Sequence, residues 1–344
     1  MTDVPVPLDA RKQEVLRAVV AGYTDTGVPV GSQILASRYL DSWSPATIRN
    51  DLATLVDVGY LIQPHTSAGR VPSDRGYRYY VNFLMQEEPV PGDVALEIAP
   101  MMERTMLSVE EVLEVAAMTL ARATESVSLV SAPTGGTVRL KHVDLVALDQ
   151  FRALVIAVLE GNIVRQHLVV SATELRQDTL SVTATVFNHD LPGKGPAELR
   201  ALQEGATGLE KLFLEALVAV LDSVALHSDS VVVHDGVRNL LRQPEFDDVS
   251  RLQQVLDVLE EESVLRNLLS NLDLQGEIQV IIGEENGLEQ LRSCSMVLTR
   301  YQAGDGAWGT VAVLGPTRMH YSHIAPRLRL VARRLGQAIE RVTG

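Results

Sequence analysis

The sequence predicts an α+β protein of several domains, with a helical N-terminal block and a larger body that mixes strands with helices. Its 344 residues exceed what one ordinary domain needs to bury a core. Apolar residues near the N-terminus recur at helical spacing, whereas runs of β-branched residues occur in the body at 143–170 and at 278–314. Mostly helical sequence separates these two sets of runs. We therefore expect one α+β domain that is interrupted by an insertion.

Three helices are predicted in the N-terminal block. The first begins after Asp9, a good capping residue, and its apolar series ends before Gly27. The extended segment 28–30 leads into a short second helix. Ser44 followed by Pro45 marks the start of a third, because serine caps a helix and proline fits its first position. Two helices joined by a tight turn, behind a supporting helix, predict a helix-turn-helix.

A hairpin is predicted after the third helix. Residues 60–63 and 70–72 have the pattern of two short strands, and the stretch between them is polar and contains glycine. Together with the three helices, this hairpin predicts a winged helix-turn-helix over residues 1–88. The segment 75–84 then mixes arginines with tyrosines. These side chains either contact DNA or pack the domain together, and the sequence leaves both interpretations open.

The third helix has the side chains that a DNA-reading helix needs. In a helix-turn-helix the second helix of the pair enters the major groove and contacts base edges with its N-terminal residues. Arginine pairs with guanine, asparagine with adenine, and threonine or alanine methyl groups contact thymine. We expect base contacts from Thr47, Arg49 and Asn50, with the hairpin positioned by Arg70. The full set of predicted DNA-binding residues is Ser44, Ala46, Thr47, Arg49, Asn50, His65, Thr66, Ser67 and Arg70.

The charge of the chain is unevenly distributed. The net charge is −14, but residues 1–85 carry eight basic and eight acidic side chains, so all of the negative charge lies after residue 85. An acidic body repels DNA and suppresses non-specific binding, which leaves the affinity to a small basic surface. The composition therefore permits DNA binding through the N-terminal block but does not by itself establish it.

The body begins after a polar, proline-rich linker at 86–93. An amphipathic helix is predicted next, with apolar residues from Met106 to Leu120, and a final helix runs from about Ile324 to Val342. Predicted strands are Val143–Leu148, Ala153–Leu159, Ile163–Val170, Ile278–Ile282, Met296–Tyr301 and Thr310–Leu314. Apolar helical segments are predicted near Leu209–Leu226 and Val249–Leu269. These segments could form core or could face a second subunit.

Several longer motifs resemble a known family. They are SPATIRNDL at 44–52, GYL at 59–61, PHTSAGRVP at 64–72, GYRYYV at 76–81, and GPTRM at 315–319 followed by Tyr321. In these motifs the chain resembles the bacterial heat-inducible transcription repressors (the HrcA family), which act on the inverted-repeat operator upstream of chaperone operons. Motifs at both ends extend the resemblance over the whole chain.

The resemblance implies a fold and a mechanism for the body. It implies a GAF-like domain in two parts, at 95–172 and 273–344, interrupted by a mainly helical dimerisation domain at 173–272. It also implies a homodimer that binds double-stranded DNA, is released on heat stress and depends on the chaperonin. A dimer is expected independently, because a helix-turn-helix protein that reads two half-sites usually has two-fold symmetry.

Enzymatic, metal-binding and membrane roles find little support in the sequence. The single cysteine, Cys294, has no partner for a zinc site or a disulfide and suits a reducing cytoplasm. His320 and His323 have a spacing that suits a metal but no obvious third ligand, and a glycine-rich phosphate loop is absent. No apolar run reaches the roughly 18–20 residues of a membrane span, and the N-terminus lacks a secretory signal pattern. We expect a cytoplasmic protein without catalytic residues, metal, cofactor or membrane partner.

Two other functions fit the same pattern. One is a regulator of this architecture that is controlled by a small molecule in the GAF-like domain, and a thermal shift with metabolites would reveal it. The other is an enzyme whose winged helix serves only for protein contacts. Steep salt dependence of DNA affinity would distinguish a DNA reader from such a module.

Overall fold

The computed structural model describes residues 6–66, 68–102, 108–134, 139–160, 163–226, 231–270, 278–304 and 307–343. Helices and antiparallel strands alternate along this chain, so the α+β class is confirmed. The structure contains an N-terminal helical block, a five-stranded sheet with helices on both faces, and a separate three-stranded sheet with its own helices.

The N-terminal block begins with the three predicted helices, α1 (Ala10–Thr26), α2 (Ser32–Arg38) and α3 (Pro45–Asp57). Their ends are set by the signals in the sequence. The Asp9 carboxylate accepts a hydrogen bond from the backbone N–H of Lys12 at 2.9 Å, and Gly27 ends α1 in the left-handed region with φ 67°.

A small antiparallel ribbon follows α3. It pairs β1 (Leu61–Ile62) with β2 (Val71–Pro72), as the sequence predicts. The extended segment before α2 adds a third member, because Val30 and Arg70 exchange two backbone hydrogen bonds of 2.9 Å. Helix α4 (Asp74–Tyr79) then continues into a π-helical turn at Tyr80–Leu84.

The central sheet has the strand order β7-β3-β10-β9-β8, antiparallel throughout. Alternate residues of β10 face opposite sides of it: Val311 and Val313 lie in one core, and Ala312 and Leu314 in another. The strands are β3 (Val127–Ser131), β7 (Val232–Asp235), β8 (Gln279–Ile282), β9 (Cys294–Ala303) and β10 (Ala307–Pro316).

Helices cover both faces of this sheet. One face packs against α6 (Val109–Thr124) and α13 (Tyr321–Thr343), in a core that continues into the N-terminal block. Between the block and α6 lies α5 (Gly92–Met102). The other face packs against α10 (Val237–Leu240), α11 (Val249–Glu260) and α12 (Glu262–Ser270).

Residues 139–226 form a unit with a core of its own, which we call the inserted unit. Its sheet has the order β4-β5-β6, and its helices cover one face. The elements are β4 (Leu140–Ala147), β5 (Arg152–Leu159), β6 (Val164–Val170), α7 (Gln177–Asp190), α8 (Pro196–Gly205) and α9 (Gly208–Leu226).

The strands of the inserted unit are grouped differently from what the sequence led us to expect. Strands β4–β6 were expected to belong with the late strands to one α+β domain, in a part ending at residue 172, but within the described residues they form a separate sheet with each other. Two short connections make this local pairing easy, and the buried face of β5 packs on helices of the same unit. The central sheet instead recruits β3 and β7, which the sequence pattern did not reveal.

Candidate nucleic-acid interface

The start of α3 is fixed by a side-chain cap. Ser44 Oγ accepts a hydrogen bond from the backbone N–H of Thr47 at 3.2 Å and lies 3.0 Å from Thr47 Oγ1. Pro45 occupies the first turn, where its missing N–H costs nothing. This geometry gives the helix a defined N-terminus whose dipole favours the negative charge of a phosphate.

The two sides of α3 have opposite character. Ile48, Leu52 and Leu55 are buried in the core of the block. Most of the residues predicted to contact DNA lie on the solvent side: Ser44, Ala46, Arg49 and Asn50 are exposed, and Thr47 is half-buried. Within the described residues, the side chains of Arg49 and Asn50 form no hydrogen bond or ion pair with the rest of the chain. They are therefore available to an external partner.

Asp51 holds α3 against α1. Its carboxylate receives two hydrogen bonds from Arg11, with Nε–Oδ2 at 2.7 Å and Nη2–Oδ1 at 3.1 Å, and its side chain is 4% exposed. The bond to Asp51 raises the pKa of Arg11. Sequence reasoning missed this role. The available signal was an acidic residue inside the apolar stripe of α3, where a buried carboxylate needs a cationic partner.

The hairpin tip presents a second polar surface. His65 and Thr66 are exposed, and Gln63 Nε2 donates to the Thr66 carbonyl at 2.8 Å, which braces the tip. The predicted contact residue Ser67 lies outside the described residues. Arg70 is half-buried and donates to the Ala68 carbonyl at 3.2 Å, so its guanidinium lies along the base of the tip.

The arginine and tyrosine segment after the hairpin packs the block onto the body. Tyr77 is buried beside Tyr321 with ring centroids 5.9 Å apart, and burial raises its pKa well above the ordinary value. Arg78 forms an ion pair with Glu285 and donates to the Val280 carbonyl at 2.7 Å. Arg78 and Glu285 thereby satisfy backbone groups at the outer edge of β8, where Ile282 N–H donates to Glu285.

No catalytic or metal centre is evident in the part of the chain that the structure describes. Burial raises the pKa of the Cys294 thiol to about 12, so it is not a nucleophile near neutral pH. His320 and His323 stack on each other and lie near Asp25 and Glu88, but no group of three or more His, Cys, Asp or Glu there could hold a metal ion. Nor is any described helix both long and apolar enough to span a membrane.

Comparison with known proteins covers almost the whole chain. The family described as "HrcA protein C terminal domain" matches residues 110–325. A protein of Desulforamulus reducens named "Heat-inducible transcription repressor HrcA" is 35% identical over 346 residues, which is 97% of this chain and 98% of that protein. The protein of that name from Thermomicrobium roseum is 33% identical over 339 residues, covering 98% of this chain and 97% of its own length.

A solved structure shares the fold. It is titled "Crystal structure of a hypothetical protein at 2.2 A resolution" and aligns with a TM-score of 0.64 and 22% sequence identity. The alignment covers 98% of this chain and 100% of that one, so the likeness includes the N-terminal block, the central sheet and the inserted unit.

Proposed function

The chain belongs to the HrcA family of heat-inducible transcription repressors, negative regulators of heat-shock genes, and on this premise we propose that it reads an inverted-repeat operator as a dimer through α3. The observation that carries the proposal is the solvent-facing side of α3, where Arg49 and Asn50 are exposed beside the Ser44 cap and form no hydrogen bond or ion pair with the described part of the chain. These are side chains that discriminate guanine and adenine in the major groove.

We further propose an assignment of domains. The N-terminal block to residue 88 acts as a winged helix-turn-helix, with α3 as the recognition helix and the β1–β2 hairpin as the wing. The central sheet with its helices is a GAF-like domain. The inserted unit, 139–226, is the dimerisation domain. The separate core of the inserted unit supports this division.

A binding titration tests the proposal. The full chain is titrated against an inverted-repeat operator from a chaperonin promoter and against a scrambled duplex of equal length. We expect selective binding to the operator, with the logarithm of the affinity falling linearly with the logarithm of the salt concentration, because phosphate contacts release counterions. Equal affinity for both duplexes, with the protein folded, would rule out sequence reading by α3.

The dimer is supported by an uncovered apolar sheet face. On the side of β4–β6 away from the helices, Val146, Leu154 and Leu168 form a row across the three strands. Leu168 is 50% exposed and Val170 on the same face is 65% exposed. We assign this face to a second copy of the chain, because an inverted repeat requires two DNA-binding domains related by two-fold symmetry.

A charge placed on this face should separate the dimer. Leu168→Asp is expected to give a monomer in sedimentation, because burying the carboxylate at an apolar interface is costly, and operator affinity should fall about tenfold or more as the second half-site contact is lost. Val186→Asp, at a 49% exposed valine of α7, is the control and should remain dimeric. A Leu168→Asp variant that stays dimeric would place the interface elsewhere.

We also propose that the chaperonin sustains the operator-competent fold. A marginally stable repressor loses this state when the concentration of free chaperonin falls, because a partner that binds the repressor shifts its folding equilibrium by mass action. Heat would then release repression by occupying the chaperonin with other unfolded chains. Full recovery of operator binding by repressor refolded without chaperonin would contradict this route.

A further inference from the structure

The sequence motif GPTRM at 315–319 has no part in the DNA interface, yet its arginine reaches the N-terminal block. Arg318 lies in the turn between β10 and α13, and its side chain is only 13% exposed. Its Nη1 donates to the Thr24 carbonyl at 3.1 Å, its Nη2 donates to Gln243 Oε1 at 2.9 Å, and its Nε pairs with the Glu245 carboxylate. One guanidinium therefore joins three separate parts of the chain.

Each of these three contacts lies at a structural junction. Thr24 is in the last turn of α1, where carbonyl groups lack helical partners and a cation is favourable. Gln243 and Glu245 lie between α10 and α11, in the segment that follows β7 after the chain returns from the inserted unit. Only the fork of an arginine can serve three acceptors in one plane, so lysine is a poor substitute.

A second attachment lies at the other end of the block. Pro326 within α13 has no N–H, which leaves the Ser322 carbonyl without its helical donor. The backbone N–H of Glu88 fills this gap at 3.1 Å, and Glu87 forms a two-point ion pair with Arg329 at 2.8 and 3.0 Å. The linker is thus tied to α13 while Arg318 ties the end of α1.

These two attachments act together with the Arg78–Glu285 ion pair and the Tyr77–Tyr321 packing to fix the direction in which α3 points from the body. In a dimer that reads two half-sites, this direction decides how far apart, and at what rotation, the two recognition helices stand. A freely pivoting block would still bind one half-site, but the second contact would occur at lower effective concentration. The dimer can therefore discriminate between half-site spacings only if the block is held rigidly against the body.

We propose that Arg318 is a positioning residue that sets the half-site spacing accepted by the dimer. The proposal rests on the proposed dimeric reading of an inverted repeat. It gives the GPTRM motif a role in operator recognition without contact to DNA, by coupling the orientation of α3 to the body.

Binding across a set of spacings tests it. Wild type, Arg318→Ala and the control Arg333→Ala, an exposed arginine of α13, are titrated against a single half-site and against operators with spacers altered by about one to five base pairs. We expect Arg318→Ala to lose roughly tenfold in affinity at the native spacing. We also expect a flattened spacing profile, that is, a weaker dependence of operator affinity on spacer length. Its half-site affinity should remain within about twofold of wild type, and Arg333→Ala should match wild type throughout.

The outcomes separate the two proposals. If wild type itself shows no selectivity for the inverted repeat, the proposed function fails. If wild type is selective but Arg318→Ala keeps the same spacing profile, or loses half-site and operator binding in equal proportion, the positioning role is overturned. Should Arg318→Ala fail to fold, Gln243→Ala and Arg318→Lys decide the question. The first removes one acceptor of Arg318 and the second replaces the guanidinium fork, and each should flatten the same profile.

Discussion

Simultaneous replacement of Arg49 and Asn50 by alanine is expected to abolish selective operator binding without unfolding the protein. Both side chains are exposed on α3 and form no hydrogen bond or ion pair within the described residues, so their loss leaves the core of the block intact. A good base contact contributes roughly 1–3 kcal/mol of discrimination. The double variant should therefore lose on the order of a hundredfold in affinity for the operator and little for a scrambled duplex.

The chain offers a control of the same residue types for this experiment. Arg266 and Asn267 are an adjacent arginine and asparagine on α12, a helix on the far face of the central sheet, where Arg266 pairs with Glu262 of the same helix. Replacing both with alanine removes the same side chains and the same charge, and operator binding should not change. A uniform loss across all duplexes in the α3 variant would instead mean that Arg49 contacts a phosphate, and that α3 does not read bases through it.

The substitution Gly76→Ala is expected to cause the largest loss of stability in the N-terminal block. A Cβ at this position would overlap the backbone carbonyl oxygen of Tyr60, at the point where α4 packs against the base of the hairpin. The overlapping group is backbone, so the overlap cannot be relieved by moving a flexible side chain. We expect the free energy of unfolding of the block to fall by about 3 kcal/mol.

Trp43 offers a local probe for this measurement because it is half-buried in the block. Thermal unfolding can be followed by its fluorescence in a Trp308→Phe background, which removes the other tryptophan. Gly205→Ala is the control: this helical glycine of α8 has open space around it, so alanine should be neutral or stabilising by about 0.5–1 kcal/mol. An unchanged midpoint for Gly76→Ala would mean that α4 is free to shift away from the hairpin.

Local structure in this protein follows directly from the amino-acid sequence. The structure contains helices that local signals predicted. These signals are the caps at Asp9 and Ser44, the helix end at Gly27 and the apolar stripes of α1 and α3. The late β-branched runs likewise predicted β8, β9 and β10 within a few residues. These features depend on neighbours within a few positions along the chain, and backbone geometry converts such spacing into structure without reference to distant residues.

The arrangement of these elements was decided only in three dimensions. Short β3 and β7 have no distinctive alternation, and they belong to the central sheet because β3 pairs with β10 and β7 in turn pairs with β3. The sequence determined which helix presents Arg49 and Asn50 to solvent. Only the tertiary structure placed Asp51 against Arg11 and Arg318 against Thr24, because such pairs join residues 40 and 294 positions apart. Hydrogen bonds and ion pairs over such separations leave no periodic trace, since they depend on how whole elements pack.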